Sequence, residues 1–331
     1  MSDNNLSHED SRDERPRDEH SREGSASASR VIEMIGVVKQ FGRKHVLEGV
    51  NLTVFAGQTF AFLGRNGAGK STAIRMLLGL LKPDAGTVRV LGMDPQAEPL
   101  KVRQRVGYLA EDQAMFGWMQ VRQIIAFVKP FYPTWDEKWA RHLCERFELP
   151  MTTKVRHLSK GQGVRVGLLL ALAHRPELVI LDDPTLGLDP IMRKEFLRDL
   201  VTFLQGERVT VFFSSHLLYE IEPVADAVAI LDRGRIVRQA QTEALRENVK
   251  RLILPSAAEA VARGLPGLLD ISRRGRQIAV VVEDAQAAGA ALARQGVSHE
   301  SIDLNLDEIF EAYVIGRKEP ANAEPSLERV A

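Results

Sequence analysis

A glycine-rich turn between an apolar run and a helix-forming run is the part of the sequence best equipped for chemistry. Its residues follow the spacing G-x-x-x-x-G-K-S and are Gly64, Arg65, Asn66, Gly67, Ala68, Gly69, Lys70, Ser71 and Thr72. Glycines allow backbone N–H groups to surround a phosphate, and the start of the following helix adds the positive end of its dipole. Lys70 supplies a point charge for the β- and γ-phosphates, and the Ser71 hydroxyl is suited to ligate Mg²⁺. The spacing therefore predicts a nucleoside-triphosphate site.

The second chemical feature is a run of four apolar residues, 178–181, followed by the carboxylates Asp182 and Asp183. The run is typical of a buried strand, and the first carboxylate at its C-terminal end would meet the metal side of a nucleotide. Strands often end in aspartate, so the run alone says little. Because it follows a phosphate-binding turn along the chain, it predicts that Asp182 is a metal ligand.

The elements that must position these residues alternate between short strands and helices. Strands are predicted at 31–38, 50–54, 58–63, 87–91, 105–109, 178–181, 210–213 and 227–231. Helices are predicted at 71–81 and 192–205, and residues 116–172 are largely helical. Strands separated by helical crossovers favour a parallel, doubly wound α/β sheet with a helical insertion after its early strands.

The pattern also divides the chain into domains. Residues 1–30 are highly charged and carry only Met1 and Leu6 as large apolar residues, so we expect a disordered tail, with a docking or regulatory arm as the alternative. Residues 31–243 form the nucleotide-binding domain, whose helical subdomain spans about 112–172.

A smaller α/β domain is expected at residues 244–316, followed by a loose tail at 317–331. Its strands are predicted at 252–254, 268–272 and 277–282, and its helices at 285–295 and 306–314. This domain has no catalytic constellation. It is interpreted as a packing or dimerisation module, and a sensing role stays open.

Composition argues against several classes of protein. The 331 residues carry 44 lysines and arginines and 44 aspartates and glutamates, a balance that does not favour coating nucleic acid or an anionic membrane. The single cysteine, Cys144, excludes an intramolecular disulfide and is typical of a reducing compartment. No run approaches the ~18 apolar residues of a membrane span, and the N-terminus lacks the apolar core of a signal peptide. We expect a cytosolic, mostly folded protein.

Further motifs lie in a fixed order around the turn and the carboxylates. Residues 158–162 read Leu-Ser-Lys-Gly-Gln and match a signature sequence in which Lys160 replaces the commoner glycine. Three other positions match a D-loop, a switch histidine and an aromatic residue that stacks on adenine, and they are Leu188-Asp189, His216 and Phe41. Over about residues 31–240 the chain resembles the ATP-binding subunits of ABC transporters. Residues 106–111 and 306–310 look more like the branch that serves drug, lipid and polysaccharide exporters.

The resemblance implies a P-loop NTPase fold of ABC type, with a mostly parallel sheet, flanking helices, an antiparallel β subdomain and a helical subdomain. It also implies ATP and Mg²⁺ as ligands, and a head-to-tail dimer with a second copy or a related ATPase subunit. Ser159 and the Gly161 N–H would then contact the γ-phosphate of the nucleotide held by the other subunit. Gln162 and Asp189 would also contact nucleotide, and His216 would contact a γ-phosphate. A separate membrane permease would hold the subunit at the inner face of the cell membrane, and no nucleic acid is expected as a partner.

Two positions depart from the commonest residues of the family. Asp183 stands where glutamate usually orients or deprotonates the attacking water. Aspartate is one methylene shorter, so we expect a working but slow ATPase with Asp183 as the base. Glu111 stands where glutamine usually contributes an oxygen on the metal side, and Gln113 is a competing candidate for that role.

The segment 116–147 concentrates aromatic residues, including all three tryptophans. Trp139, Leu143 and Phe147 are spaced to share one helix face, which is typical of a small core. The exposed edge, near Trp118 to Trp135, is interpreted as a socket for a helix of the membrane subunit.

Two other functions stay open at this stage. One is a soluble ABC-type ATPase of translation or DNA repair, although only one P-loop is present and residues 73–157 contain no heptad insertion. The other is an ATP-binding regulator with weak hydrolysis, which the aspartate at position 183 favours.

Overall fold

The computed structural model describes residues 29–184, 190–207, 209–215 and 222–316. The strands in chain order are β1 (Arg30–Phe41), β2 (Lys44–Phe55), β3 (Thr59–Gly64), β4 (Ala85–Val90), β5 (Val106–Leu109), β6 (Leu178–Asp182), β7 (Thr210–Ser215), β8 (Ala227–Asp232), β9 (Arg235–Gln241), β10 (Lys250–Pro255), β11 (Leu268–Arg274), β12 (Gln277–Val282) and β13 (Glu300–Asp303). The helices are α1 (Lys70–Leu77), α2 (Pro99–Arg105), α3 (Val121–Val128), α4 (Glu137–Arg146), α5 (Lys160–Leu172), α6 (Pro190–Gly206), α7 (Thr242–Asn248), α8 (Glu259–Arg263), α9 (Ala285–Arg294) and α10 (Leu306–Val314).

The central sheet has the strand order β5-β6-β7-β3-β8-β9. Its strands run parallel except for β9, which pairs antiparallel with β8. Every residue of β3, β6 and β7 is buried, which agrees with their continuous apolar sequences and with helices covering both faces. The C-terminal ends of these three strands therefore meet at one edge, where the glycine-rich turn and the two aspartates lie.

Two smaller antiparallel sheets flank the central one in the described part of the chain. The first has the order β2-β1-β4, and the second has the order β11-β12-β10-β13. The helix α10 packs on both the second sheet and the central sheet, since Ile309 and Tyr313 share an apolar cluster with Val228 and Ile230 of β8. The predicted boundary between residues 243 and 244 falls inside α7.

The predicted strands and helices are found, with two informative differences. Helix α1 ends at Leu77 instead of residue 81, because Gly79 has a φ of 67°, which is outside the helical range. Only glycine fits there, since a Cβ would lie 2.2 Å from the Pro95 carbonyl oxygen. The antiparallel strand β9 was not predicted. It enters through a tight hairpin in which Arg233 and Gly234 both have positive φ, at 47° and 77°.

Candidate functional site

The glycine-rich turn joins buried strand β3 to helix α1, and its glycines are required by both conformation and space. Gly67 and Gly69 have φ values of 79° and 115°. A Cβ on Gly69 would lie 2.7 Å from Leu47 Cδ2, and a Cβ on Gly64 would lie 2.7 Å from the Leu231 carbonyl oxygen. Gly69 is also the N-cap of α1, and no side chain caps that end of the helix. The first N–H groups of α1 are therefore available to an anion.

Lys70 is the first residue of α1, and its side chain is buried. Its Nζ donates a hydrogen bond of 2.7 Å to the Gly64 carbonyl oxygen, which holds the ammonium inside the turn. Burial lowers the pKa of Lys70, and the negative charges of Asp183, Asp182 and Glu111 oppose that shift. The charges of these three carboxylates therefore favour the charged form of the Lys70 ammonium, and Asp182 and Asp183 are buried whereas Glu111 is exposed.

Asp182 ends β6 and is buried beside Ser214 of β7, its partner in the parallel register. Burial raises the pKa of Asp182; the charges of Asp183 and Glu111 act in the same direction, whereas Ser214 and Lys70 oppose it. Its Oδ1 atom is buried and forms no hydrogen bond with any residue that the structure describes. A buried carboxylate oxygen without a donor matches the donor set that Mg²⁺ prefers, so the residues present fit a magnesium ion. Ser71 follows Lys70 in the first turn of α1.

Asp183 follows β6 directly and has a φ of 42°, a left-handed conformation that aspartate tolerates better than most residues. Its backbone N–H donates a hydrogen bond of 3.0 Å to the Ser214 carbonyl oxygen, and the residue is buried. Of the three carboxylates that raise the pKa of Lys70, Asp183 has the largest effect. The bend after β6 therefore leaves Asp183 buried at the C-terminal edge of the central sheet, where its charge acts on Lys70.

The two candidates in the loop after β5 point to different neighbours. The Glu111 side chain is exposed, and its charge raises the pKa of both Lys70 and Asp182. The Gln113 amide lies instead against helix α5, with its Oε1 3.0 Å from the position that a Cβ on Gly167 would occupy. Gln113 therefore faces α5, and Glu111 stays the predicted metal-side residue.

The signature sequence begins helix α5. Ser159 is its N-cap, and its Oγ accepts a hydrogen bond of 3.2 Å from the Gln162 N–H. The Gln162 Oε1 in turn accepts a hydrogen bond of 2.9 Å from the Ser159 N–H, which completes a capping box. Ser159 is exposed and Gly161 is partly exposed, so this helix start faces outward.

Phe41 ends β1, and half of its surface is exposed. The Lys39 Nζ lies 5.4 Å from the centroid of its ring. An exposed ring at a strand end is available for stacking on a flat ligand.

The aromatic segment separates into a packed part and an exposed part. The Trp139 Nε1 donates a hydrogen bond of 3.1 Å to the Leu172 carbonyl oxygen, and its ring stacks on Phe203 at 5.4 Å and beneath the Arg175 guanidinium at 3.8 Å. Leu143 is buried beside it. Four other rings are exposed and contact one another in a chain, and we call Phe116, Trp118, Phe127 and Phe131 the aromatic patch.

Comparisons with known proteins decide the family. The ABC transporter family model matches residues 47–186. The chain is 33% identical to the bacitracin transport ATP-binding protein BcrA of Bacillus licheniformis, over 68% of this chain and 74% of that protein. It is also 33% identical to the daunorubicin resistance ATP-binding protein DrrA3 of Streptomyces coeruleorubidus, over 86% of this chain and 95% of that protein. The chain is an ABC transporter ATP-binding subunit.

A solved ATP-binding subunit of an ABC transporter has the same fold, with a TM-score of 0.60 and 26% identity over 66% of this chain and 92% of that one. The predicted ABC-type P-loop fold is thus confirmed, and the resemblance to drug exporter subunits agrees with the relatives' names. No helix among the described residues is long and apolar enough to cross a membrane.

Two residues expected in an ABC subunit site, Asp189 and His216, lie outside the described residues, as does Leu188. Strand β7 ends at Ser215, at the same edge of the sheet as Asp182.

Two site neighbours escaped the sequence reasoning. Ser214 pairs with Asp182, and Tyr108 lies opposite Ile180 in the β5–β6 register, on the face that Asp182 shares. Burial raises the pKa of Tyr108 to about 12, and the charge of Asp182 adds to the shift. In the sequence, the alternation of side chains along each strand shows which residues share a face of the sheet. It cannot show that Tyr108 and Ser214 lie near Asp182 until the order of the strands is known.

Proposed function

We propose that this subunit binds ATP with Mg²⁺ and hydrolyses it. The observation that carries the proposal is the buried Lys70 ammonium held inside the glycine-rich turn, with the buried carboxylates Asp182 and Asp183 at the same edge of the central sheet. The turn N–H groups and Lys70 would hold the β- and γ-phosphates, and Phe41 would stack on adenine. His216, which follows β7, would contact the γ-phosphate.

Ser71, Asp182 and Glu111 would hold the magnesium ion. The fit rests on the unpaired Oδ1 of Asp182 and on three oxygen-bearing side chains, the donor type that this cation prefers. When bound, Mg²⁺ neutralises charge on the phosphates.

Asp183 would orient the attacking water and accept its proton. Its carboxylate is one methylene shorter than the family's usual glutamate, and a misplacement of about 1 Å can cost on the order of a hundredfold in rate. We therefore expect slow turnover. The same observation favours a second candidate function, an ATP-binding regulator with weak hydrolysis.

The dimer would form head to tail around ATP. Ser159, Gly161, Gln162 and Asp189 of one copy would face the nucleotide bound by the other copy or by a related subunit. The outward-facing start of α5 supports this arrangement, because a helix N-terminus offers donors and a dipole to phosphate oxygens. Hydrolysis would remove the shared ligand and let the two copies separate.

The work of this ATPase would be to drive a separate membrane permease, most simply as an exporter at the inner face of the cell membrane. The relatives' names, bacitracin transport and daunorubicin resistance, support that role. The aromatic patch supports it independently, because contiguous exposed rings are typical of a protein-binding surface.

The deciding experiment uses the purified full chain and the variant Lys70→Ala. Binding of ATP-Mg²⁺ is measured by calorimetry and turnover by phosphate release. We expect Lys70→Ala to lose both, because the variant removes the charge that the turn holds for the phosphates.

The matched control is Lys82→Ala, a lysine that is exposed after α1. This variant is expected to keep wild-type affinity and turnover. Wild-type protein without Mg²⁺-dependent ATP binding, or a Lys70→Ala variant with both properties intact, would overturn the proposal. If the wild-type protein binds ATP-Mg²⁺ and does not hydrolyse it, the second candidate function, an ATP-binding regulator, would be favoured.

A further inference from the structure

The loop that follows β5 links two regions of the proposed site. It carries Glu111, the predicted metal-side residue, whose charge acts on Lys70. Further along, the Gly117 carbonyl oxygen accepts a hydrogen bond of 3.1 Å from the Arg156 N–H, and the Met119 carbonyl oxygen accepts one of 2.8 Å from the Val155 N–H. Arg156 and Val155, whose N–H groups the loop binds, lie three and four residues before Ser159, the N-cap of α5. The loop therefore connects the metal side of the site to the signature sequence through fixed backbone contacts.

Gln113 is the point at which this loop lies on the signature helix. Its side chain crosses two glycines of α5 that are one turn apart, Gly163 and Gly167. A Cβ on Gly167 would lie 3.0 Å from the Gln113 Oε1 and 3.1 Å from its Cδ, whereas a Cβ on Gly163 would lie 3.8 Å from the same Oε1. The amide thus occupies space that any side chain at position 167 would take.

A second side chain, that of Leu109, also lies close to Gly167. A Cβ on Gly167 would also lie 2.6 Å from Leu109 Cδ1, and Leu109 is a buried residue of β5. Because packed interiors yield little, a group added at this point must displace the loop or the helix.

We infer that Gln113 is a positioning residue that sets the spacing between the Glu111 loop and the signature helix. The inference rests on the proposed function, since it assigns Glu111 to the metal side and Ser159 to the partner's nucleotide. With the amide seated on Gly167, a displacement of the metal-side loop is transmitted to α5, and the two halves of the composite site keep their register.

The first test adds one methyl group at each of the two glycines of full-length protein. Gly167→Ala is expected to lower kcat roughly tenfold or more and to raise the Mg²⁺ concentration for half-maximal turnover several-fold, because the added Cβ displaces the Gln113 amide, and with it the contact between the loop and α5. Gly163→Ala is the matched control. Its Cβ would make an ordinary contact, so kcat and the Mg²⁺ requirement are expected to stay at wild-type values.

The second test removes the amide. Gln113→Ala is expected to lower kcat and raise the Mg²⁺ requirement while the melting temperature changes little, since Gln113 is partly exposed. Gln113→Met, which keeps the length of the side chain, is expected to restore most of the lost activity. The double variant Gln113→Ala/Gly167→Ala is expected to lose less than the product of the two single losses, because the added Cβ no longer meets the amide.

The inference is overturned if Gln113→Ala and Gly167→Ala change only the melting temperature, or if Gly163→Ala impairs turnover as strongly as Gly167→Ala. A wild-type protein without Mg²⁺-dependent turnover would overturn the proposed function itself, so the two failures are distinct.

Discussion

The edge of the central sheet that carries the glycine-rich turn, Asp182 and Asp183 is here called the nucleotide edge. It and the aromatic patch both depart from the usual rule that charged side chains are exposed and apolar ones buried. At the nucleotide edge charged groups are inside, with Lys70 only 6% exposed and Asp182 only 4% exposed. In the aromatic patch apolar rings are outside, with Trp118 63% exposed and Phe131 62% exposed. Buried charge and grouped exposed rings both have a free-energy cost that a bound partner can offset.

The difference between them teaches what each partner must be. Buried carboxylates and an ammonium require a small, highly charged ligand with a cation, because only such a ligand reaches and compensates them. A chain of exposed rings requires a broad apolar surface, because stacking and area burial favour a macromolecular partner. Under the proposed function, the first region would hold the nucleotide and the second would contact the permease.

The largest expected effect is at the carboxylate that would act as the base. Asp183→Asn is expected to lower turnover roughly 10²- to 10⁴-fold while ATP-Mg²⁺ affinity is retained. Asparagine also tolerates the left-handed φ of 42°, so the fold is preserved. Asp183→Glu keeps a carboxylate and is expected to retain measurable turnover. Phosphate release by Asp183→Asn at the wild-type rate would show that Asp183 is not the base.

The next prediction compares the packed aromatic residues with the aromatic patch. It tests whether the packed residues contribute more to the free energy of unfolding than the exposed ones do. Trp139→Ala removes the stack on Phe203 and the hydrogen bond to Leu172, so we expect a loss of about 3 kcal/mol in the free energy of unfolding. Trp118→Ala is expected to change that free energy by less than about 0.5 kcal/mol. Urea denaturation measures both. Equal losses would contradict the division of the segment into core and patch.

Sequence reasoning reached the nucleotide edge because its information is local. The spacing of residues 64–72 and the run before Asp182 each carry their meaning within one strand and one turn. The choice between Glu111 and Gln113 needed tertiary structure, since the space for Gln113 is created by Gly167 in a distant helix. Strand β9 was missed because its hairpin has Arg233 at a positive φ, where glycine or asparagine would have given a signal.

A smaller effect is expected at the permease contact. The double variant Trp118→Ala/Phe131→Ala is expected to weaken the free energy of binding to the permease by about 1–3 kcal/mol, because aromatic residues dominate such interfaces. The loss is measured as a reduced yield of permease in co-purification. Leu100→Ala is the matched control, since Leu100 is exposed and lies outside the patch. If the control weakens the complex as much as the double variant does, the patch is not the docking surface.

The smallest effect compares a partly exposed carboxylate that is hydrogen-bonded, Glu283, with a buried carboxylate oxygen that is not, Asp182 Oδ1. Glu283 Oε1 accepts hydrogen bonds from the Tyr313 hydroxyl at 2.8 Å and from Arg238 at 3.0 Å, whereas Asp182 Oδ1 has no such partner in the described chain. Tyr313→Phe is therefore expected to cost about 1 kcal/mol of folding free energy and to leave the Mg²⁺ requirement of turnover unchanged. Denaturation and Mg²⁺ titration of the ATPase measure the two quantities. A shifted Mg²⁺ requirement would mean that α10 influences the nucleotide edge, and the contrast between a structural and a ligand-binding carboxylate would fail.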